Sequence, residues 1–357
     1  MRLKSSDQIL VAETDELCQR KIDQEDSCVN IRAIIQKFGQ NKISVERLQP
    51  LVSKIAKRED VALVTAKMEK DGMQRRNWLK LLGYASELLS CNQICHVVIK
   101  FLRYPYVLMS DLDILTLNPT EEIKALDLLN RNGFDLLQFR LLAHPMKIMA
   151  RKPSNEFNVQ PDLDLDFYPE PMWIRKKVAD NNIIFSRRII FRTGPLRVFV
   201  PSPEDDFYLV GTHAYAHLTI TLAEILHGLK IVSENSGFDW DYLYYMARNY
   251  GCLDSIYLYL RVLDLYSQTF RLDSELDNDV MCRYERTGIC KKLGSWFERT
   301  YSDTIEFPIH VPITIGCIRS SFYHCGELRG RLPLQMLLND FMTHYLVLSS
   351  KAVLGKT

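Results

Sequence analysis

Two aspartates separated by one residue, Asp111 and Asp113, lie inside an apolar stretch at 106–117. Side chains alternate between the two faces of a strand, so both carboxylates would point the same way, roughly 6.5–7 Å apart. Like charges on one face of a mostly buried strand are unfavourable unless a cation or hydrogen-bond donors compensate them. The pair therefore indicates a cation site, with a solvated strand end as the alternative.

A second acidic segment, at 162–168, has the sequence Asp-Leu-Asp-Leu-Asp-Phe-Tyr. Its strict alternation predicts a strand with Asp162, Asp164 and Asp166 on one face and apolar side chains on the other. Charges also occur on exposed edge strands, where they discourage pairing with other chains. Because two strands of one compact unit now each supply acids, the functional interpretation is favoured.

Carboxylates on adjacent strands suit one kind of chemistry in particular. Three of them can hold two divalent cations that prefer oxygen ligands, of which Mg²⁺ is the usual choice. Such ions bind the triphosphate of a nucleotide, lower the pKa of an attacking hydroxyl and neutralise the leaving pyrophosphate. Strands fix the acids rigidly enough for this purpose.

Composition limits the classes of protein to consider. The chain has 357 residues, 47% hydrophobic and 25% charged, as is ordinary for a soluble globular protein. Its 45 basic and 44 acidic side chains give a net charge of +1, which offers no overall electrostatic case for nucleic acid or membrane. No stretch has the length of a signal peptide or of a membrane span. We therefore expect a cytoplasmic protein with no membrane partner and with its nine cysteines reduced.

Three regions follow from the hydrophobic pattern. Residues 1–92 show apolar positions at helical spacing, residues 93–232 alternate short β-rich runs with helices, and residues 233–357 are mainly helical. The prediction is an α+β fold, in which a small mixed β-sheet core with helices is flanked by N- and C-terminal helical regions.

The acid pair lies in the second of two predicted strands, at 96–100 and 107–115. A helix should follow, capped by Asn118 or Thr120 and ended at 132–133. The later segments are predicted as paired strands at 134–143 and 147–150, a helix at 170–181, strands at 183–191 and 196–200, and a helix from 203 to about 226.

The last of these helices carries two histidines. Ser202 is the expected N-cap and Pro203 the first helical residue. His213 and His217 have the four-residue spacing that can hold a metal ion, but no Glu follows His213, so a metalloprotease is not supported. Packed or hydrogen-bonded histidines are the favoured interpretation.

The order of strand, Ser110-Asp111-Leu-Asp113, helix and later acidic strand resembles the nucleotidyltransferase fold of the DNA polymerase β superfamily. More narrowly, the segments at 97–103, 110–115, 163–167 and 201–217 look like uncharacterised nucleotidyltransferase-like proteins of archaea and bacteria. The likeness covers about residues 95–230. It implies that the central core is a nucleotidyltransferase core.

The resemblance also implies roles for the acids. In the superfamily the first two acids bind both metals, and a third binds the catalytic one and orients the nucleophile. Carried over, Asp111 and Asp113 are the first pair and Asp164 is the third acid, with Asp166 as the alternative. The implied cofactor is Mg²⁺ or Mn²⁺, and the implied substrate is a nucleoside triphosphate.

One feature of the superfamily is missing. Its members have a Gly-Ser or Gly-Gly turn before the acid pair, where backbone amides hold the triphosphate, whereas the stretch at 100–105 contains no glycine. Lys100 and Arg103 can replace those contacts with charge, and Ser110 completes the expected nucleotide-binding set. The alternative is that nucleotide binding has been lost.

Three functions remain open at this stage. The first is metal-dependent transfer of a nucleotidyl group to an unknown hydroxyl acceptor, which is a protein, an RNA or a small molecule. The second is a catalytically degenerate protein of the same fold that acts in nucleotide sensing or partner binding. The third is a metal-dependent phosphohydrolase that uses the same acids.

Overall fold

The structure is a computed structural model, and it describes part of the chain. The described residues are 35–36, 44, 58–101, 111–137, 148–151, 164–173, 176–194, 196–217, 219–269, 278–285, 295 and 309–310.

Helices and strands are both present in these ranges, as expected for an α+β fold. The helices are α1 (Arg58–Cys91), α2 (Pro119–Arg131), α3 (Asn181–Arg187), α4 (Pro203–Ala216), α5 (Leu222–Glu234), α6 (Trp240–Asn249), α7 (Leu253–Thr269) and α8 (Asn278–Glu285). The strands are β1 (His96–Ile99), β2 (Asp111–Thr116), β3 (Asp135–Leu137), β4 (Ile148–Arg151), β5 (Asp164–Tyr168), β6 (Met172–Trp173), β7 (Lys176–Lys177), β8 (Ile189–Thr193), β9 (Leu196–Val200), β10 (Thr219–Ile220) and β11 (Ile309–His310).

A mixed five-stranded sheet has the strand order β1-β2-β5-β4-β3. β2 and β5, the two strands that carry the acidic motifs, are neighbours and run parallel, while the other pairs are antiparallel. Because parallel neighbours need a long crossover, the chain passes through α2, β3 and β4 between them. The sequence therefore predicted the mixed sheet, and the pairing brings the two motifs side by side.

Each face of this sheet is covered by its own apolar cluster. Leu112, Leu165 and Phe167 pack on the face shared with α1 and α2. Leu115 and Tyr168, one position out of phase, pack on the opposite face together with α4, α5 and α7. Since side chains alternate along each strand, the aspartates of β2 and β5 share the second face. The acids thus lie under a helical layer rather than on an open surface.

The N-caps of two helices were predicted correctly. Asn118 caps α2 by accepting a hydrogen bond from the backbone N–H of Glu121. Ser202 caps α4 in the same way, with Pro203 at the first helical position. Each cap occupies a backbone donor that the first helical turn leaves without a partner.

The helix predicted at 170–181 is wrong. The chain instead forms the small antiparallel ribbon of β6 and β7, and α3 begins only at Asn181. The indole Nε1 of Trp173 donates to Thr212 Oγ1 of α4, 3.0 Å away. This long-range contact accompanies an extended backbone at Trp173. It also follows that the strand predicted at 183–191 is wrong in its first half, because α3 extends to Arg187.

The helix predicted from 203 to about 226 is interrupted. α4 ends at Ala216, and α5 starts at Leu222 after a capping box between Thr221 and Glu224. Between the helices, β10 pairs with β11, which comes from a segment about ninety residues further along the chain. A distant partner of this kind leaves no periodic signal in the local sequence.

The helical layer packs tightly around Tyr259. A Cβ at Gly211 would lie 2.8 Å from Tyr259 Cδ1, and a Cβ at Gly228 would lie 2.5 Å from Tyr259 Oη. Glycine at both positions allows α4 and α5 to approach α7.

Among the described residues, no helix combines the length and the apolar character needed to cross a bilayer.

Candidate metal centre

Three carboxylates converge on the helix-covered face of the sheet: Asp111 and Asp113 of β2 and Asp166 of β5. One oxygen atom from each carboxylate lies within 4.8 Å of those of the other two. Asp113 and Asp166 are buried, with 3% and 0% of their surface exposed, and Asp111 is half-buried. Oxygen ligands grouped in this way fit a hard divalent cation such as Mg²⁺.

The register of the parallel pair brings the acids together. Asp113 lies opposite Asp166, and Asp111 lies opposite Asp164. Residues opposite each other on neighbouring strands have adjacent side chains on the same face. Two Asp-x-Asp motifs in register therefore produce a patch of four acids, of which three converge.

Lys100 enters this group of acids. Its Nζ lies 2.8 Å from Asp113 Oδ2, and both side chains are nearly fully buried, with 9% and 4% exposed. The ammonium also lies 4.8 Å from the centre of the Trp173 ring and 5.5 Å from that of Tyr168, within cation–π range. Lys100 thus compensates one negative charge of the group directly.

The backbone of Lys100 is unusual as well. Its φ is 52°, in the left-handed region that residues other than glycine rarely adopt. Such a conformation costs on the order of 1–3 kcal/mol and persists where surrounding contacts enforce it. Here the ion pair with Asp113 and the contacts with the Trp173 and Tyr168 rings are the contacts that hold the side chain in place.

Tyr168 follows Asp164 and Asp166 on the same face of β5. Burial raises the pKa of its hydroxyl well above the ordinary value, and the negative charges of Asp113, Asp166 and Asp111 raise it further. The hydroxyl therefore stays protonated, and it also hydrogen-bonds to Asp113. It therefore adds no negative charge beside the carboxylates.

Asp164, expected as the third acid, has a different partner. Arg151 of β4 lies opposite it and forms a bidentate pair, with Nε 2.6 Å from Oδ1 and Nη2 2.9 Å from Oδ2. Both carboxylate oxygens are thereby engaged by one guanidinium. The geometry therefore favours Asp166, the alternative from the sequence, over Asp164 as the third member of the group.

Three of the residues named from the sequence lie outside the described part of the chain. Arg103 and Ser110, expected to bind nucleotide, and Asp162 of the acidic segment lie outside the described residues. Lys100 is described, but it contacts a carboxylate of the site itself. Its role toward phosphate stays a prediction.

Three residues around the acids were missed. Tyr168 continues the alternation of the acidic strand, so its place on the acid face was available from the sequence. Arg151 and Trp173 reach the acid face through strand pairing and through a ribbon that was predicted to be helical. No local pattern indicates either of them.

His213 lies in the last turn of α4, and His217 directly follows the end of that helix at Ala216. The ring of His213 meets that of Trp173 edge-on, with centroids 5.1 Å apart, and its centroid lies 4.3 Å from that of His217. Packing of His213 agrees with the interpretation favoured from the sequence. Within the described part of the chain, the group of three or more residues positioned to hold a metal is the aspartate group.

Comparison with known proteins adds no family to this picture. No protein-family model, no curated protein and no solved structure matches the chain.

Proposed function

We propose that this protein is a metal-dependent nucleotidyltransferase with its centre at Asp111, Asp113 and Asp166. In the reaction, a hydroxyl oxygen of an unknown acceptor bonds to the α-phosphorus of a nucleoside triphosphate, and the bond to pyrophosphate breaks. The cytoplasmic location expected from the sequence belongs to this proposal.

The convergence of the three carboxylates carries the proposal. Two of them are buried, and bringing negative charges together away from water is costly unless cations compensate them. Carboxylates are also the ligands that Mg²⁺ and Mn²⁺ prefer. A bound divalent ion would polarise the phosphates and lower the pKa of the attacking hydroxyl.

The surrounding residues supply rigidity and charge balance. β2 and β5 hold the carboxylates in register, and the protonated Tyr168 hydroxyl adds no negative charge beside them. Lys100 offsets one of three negative charges, which leaves a net charge of about −2 for the group with Asp111 and Asp166 ionised. One divalent ion balances that charge, so we expect a single ion in the absence of nucleotide.

A second function is favoured by the same ion pair. An ammonium buried on Asp113 compensates the acids without any metal, as expected in a protein of this kind that has lost catalysis and retains a binding role. This candidate predicts no metal-dependent change of stability and no transfer to any acceptor.

Thermal unfolding distinguishes the two candidates. The purified protein is heated with each of the four nucleoside triphosphates, with Mg²⁺ or Mn²⁺, beside the variant Asp111→Asn/Asp113→Asn. The matched control is Asp135→Asn, which removes an exposed aspartate from β3 of the same sheet.

Metal-dependent stabilisation that the parent and the control share, and that the double variant lacks, supports the proposed site. Incubation with labelled nucleotide and cell extract then tests transfer to an acceptor. If the folded parent shows no shift with any metal and nucleotide, the binding candidate replaces the enzyme.

A further inference from the structure

The hairpin of β8 and β9 carries a basic outer surface. Its inner face packs Leu196, Val198 and Val200 into the core. On the other face, Arg192 and Arg197 lie directly opposite each other and are both exposed. The half-buried Arg188 precedes the hairpin at the base of β8.

The pairing of Arg192 with Arg197 is unfavourable by itself, because like charges directly opposite on antiparallel strands repel. Among the described residues, no carboxylate forms an ion pair with Arg188, Arg192 or Arg197. The neighbouring Arg187 differs, because it contacts Glu204 and Asp205. The repulsion on the hairpin is therefore uncompensated within the described part of the chain.

A cleft of about 910 Å³ adjoins this surface, between the hairpin, the C-terminal half of α1 and the start of β1. Its basic lining residues are Lys80, Arg188 and Arg197, against the single acid Glu87. Apolar and aromatic side chains lie between the charges: Ile190 is 38% exposed, and Phe199 is half-buried beneath Arg188, whose guanidinium is 4.9 Å from the ring centre. The cleft thus combines positive charge with partly exposed apolar and aromatic side chains.

We propose that this hairpin and cleft form a binding site for single-stranded nucleic acid. Such strands are bound by basic grooves that follow the phosphates and by aromatic side chains on which bases stack. Arg188, in extended backbone just before β8, and Arg192 are four residues apart, roughly 13 Å, so the basic residues extend along the hairpin as a chain of phosphates does. The whole molecule has a net charge of only +1, so the positive potential of these arginines is confined to this surface.

The site is separate from the aspartates. In the pairing of β1 with β2, His96, which lines the cleft, lies opposite Thr116, whereas Ile99 lies opposite Asp113. The cleft and the acids are therefore at opposite ends of β1. Binding at the hairpin does not depend on nucleotidyl transfer.

The test measures binding of fluorescent single-stranded RNA and DNA oligonucleotides of one sequence by the full chain, over a range of salt concentrations. The variant is Arg192→Gln/Arg197→Gln. The control is Arg76→Gln/Arg248→Gln, which removes the same charge from two exposed arginines on α1 and α6.

We expect the hairpin variant to bind at least about 10-fold more weakly, and its slope of log affinity against log salt to fall by about 1.4, since each phosphate contact on a single strand contributes about 0.7. Its Tm should not decrease, because the substitution relieves a repulsion. The control should bind as the parent does.

Equal binding by the parent and the hairpin variant overturns the proposal. So does an absence of oligonucleotide binding by the parent at low salt, including the case in which the parent binds phosphatidylserine vesicles instead. Loss of oligonucleotide binding in the hairpin variant while the aspartate variants bind normally supports a separate site.

Discussion

Asp113 and Asp166 lie directly opposite each other on parallel neighbouring strands, and both are buried. One position earlier on the same face, Asp164 is held by Arg151 from the next strand. The two Asp-x-Asp motifs are alike in sequence, yet their four carboxylates have different partners. The bidentate pair with Arg151 distinguishes Asp164 from the three carboxylates that converge, Asp111, Asp113 and Asp166.

Asp166→Asn should weaken metal binding, whereas Asp164→Asn should lower stability. Loss of a proposed ligand at Asp166 should weaken Mn²⁺ binding at least about 100-fold, more than the loss of an outer partner typically does. Asp164→Asn should leave Mn²⁺ affinity within a few-fold but lower the free energy of unfolding by about 1–2 kcal/mol, because Arg151 loses its ionic partner. Calorimetric titration and urea unfolding measure the two effects. The reverse pattern would restore Asp164 as the third acid.

Lys100→Met should make stability depend on metal. Without the ammonium, Asp113 keeps a buried charge that has lost its ion-pair partner, at a cost of about 3 kcal/mol. A divalent ion can take over that charge, so Mn²⁺ should stabilise the variant more than the parent. Urea unfolding with and without Mn²⁺ measures the difference.

The matched control for Lys100 is Lys177→Met. Lys177 pairs with Glu170 at 3.3 Å, and both side chains are partly exposed, 40% and 35%, so its loss should change stability little in either condition. If Mn²⁺ stabilises Lys100→Met and the parent equally, Lys100 does not share the cation site.

Glu122, in the first turn of α2, should reduce stability at neutral and higher pH. Burial raises the pKa of its carboxyl from 4.5 to about 7. The folded protein therefore holds this proton more tightly than the unfolded chain, and the free energy of unfolding falls as pH rises from about 4.5 through about 7. Glu122→Gln should remove this dependence and be more stable than the parent at pH 8, by about 1–2 kcal/mol after allowance for solvent screening.

Chemical denaturation of both proteins at pH 5, where the two should be similar, and at pH 8 measures the Glu122 effect. An identical pH profile for parent and variant would show that Glu122 is ionised normally.

Gly228→Ala should destabilise the helical layer by about 1–3 kcal/mol, because its methyl group would lie 2.5 Å from Tyr259 Oη. Tyr259→Phe removes that oxygen and also the hydrogen bond to the carbonyl of Glu224. In a double-mutant cycle, the alanine should therefore cost less in the phenylalanine background. Strict additivity of the two effects would contradict the close contact.

Helix caps and the alternation of side chains along a strand could be predicted from the sequence alone. The caps at Asn118 and Ser202 and the ends of α2 depend on residues within one helical turn, and they were predicted correctly. The shared face of Asp111 and Asp113 follows from the period of a strand, and it too was correct. An interaction between neighbours in the chain leaves its signal in the sequence.

Contacts between distant segments could not be predicted from the sequence. The ribbon at Trp173 and the break between α4 and α5 each accompany a contact made far along the chain, to Thr212 in one case and to β11 in the other. The local sequence predicted a helix across both places, at 170–181 and from 203 to about 226. Tertiary packing overrode those local preferences.

The choice between Asp164 and Asp166 also depends on contacts between distant segments. Both occupy one face of one strand, and nothing within the motif distinguishes them. The sequence by itself determined that acids would face the same way on two strands. Only the tertiary structure decided that Arg151 would engage Asp164 while Lys100 joined Asp113 beside Asp166, because strand register and the approach of charged side chains from other segments arise when the sheet assembles.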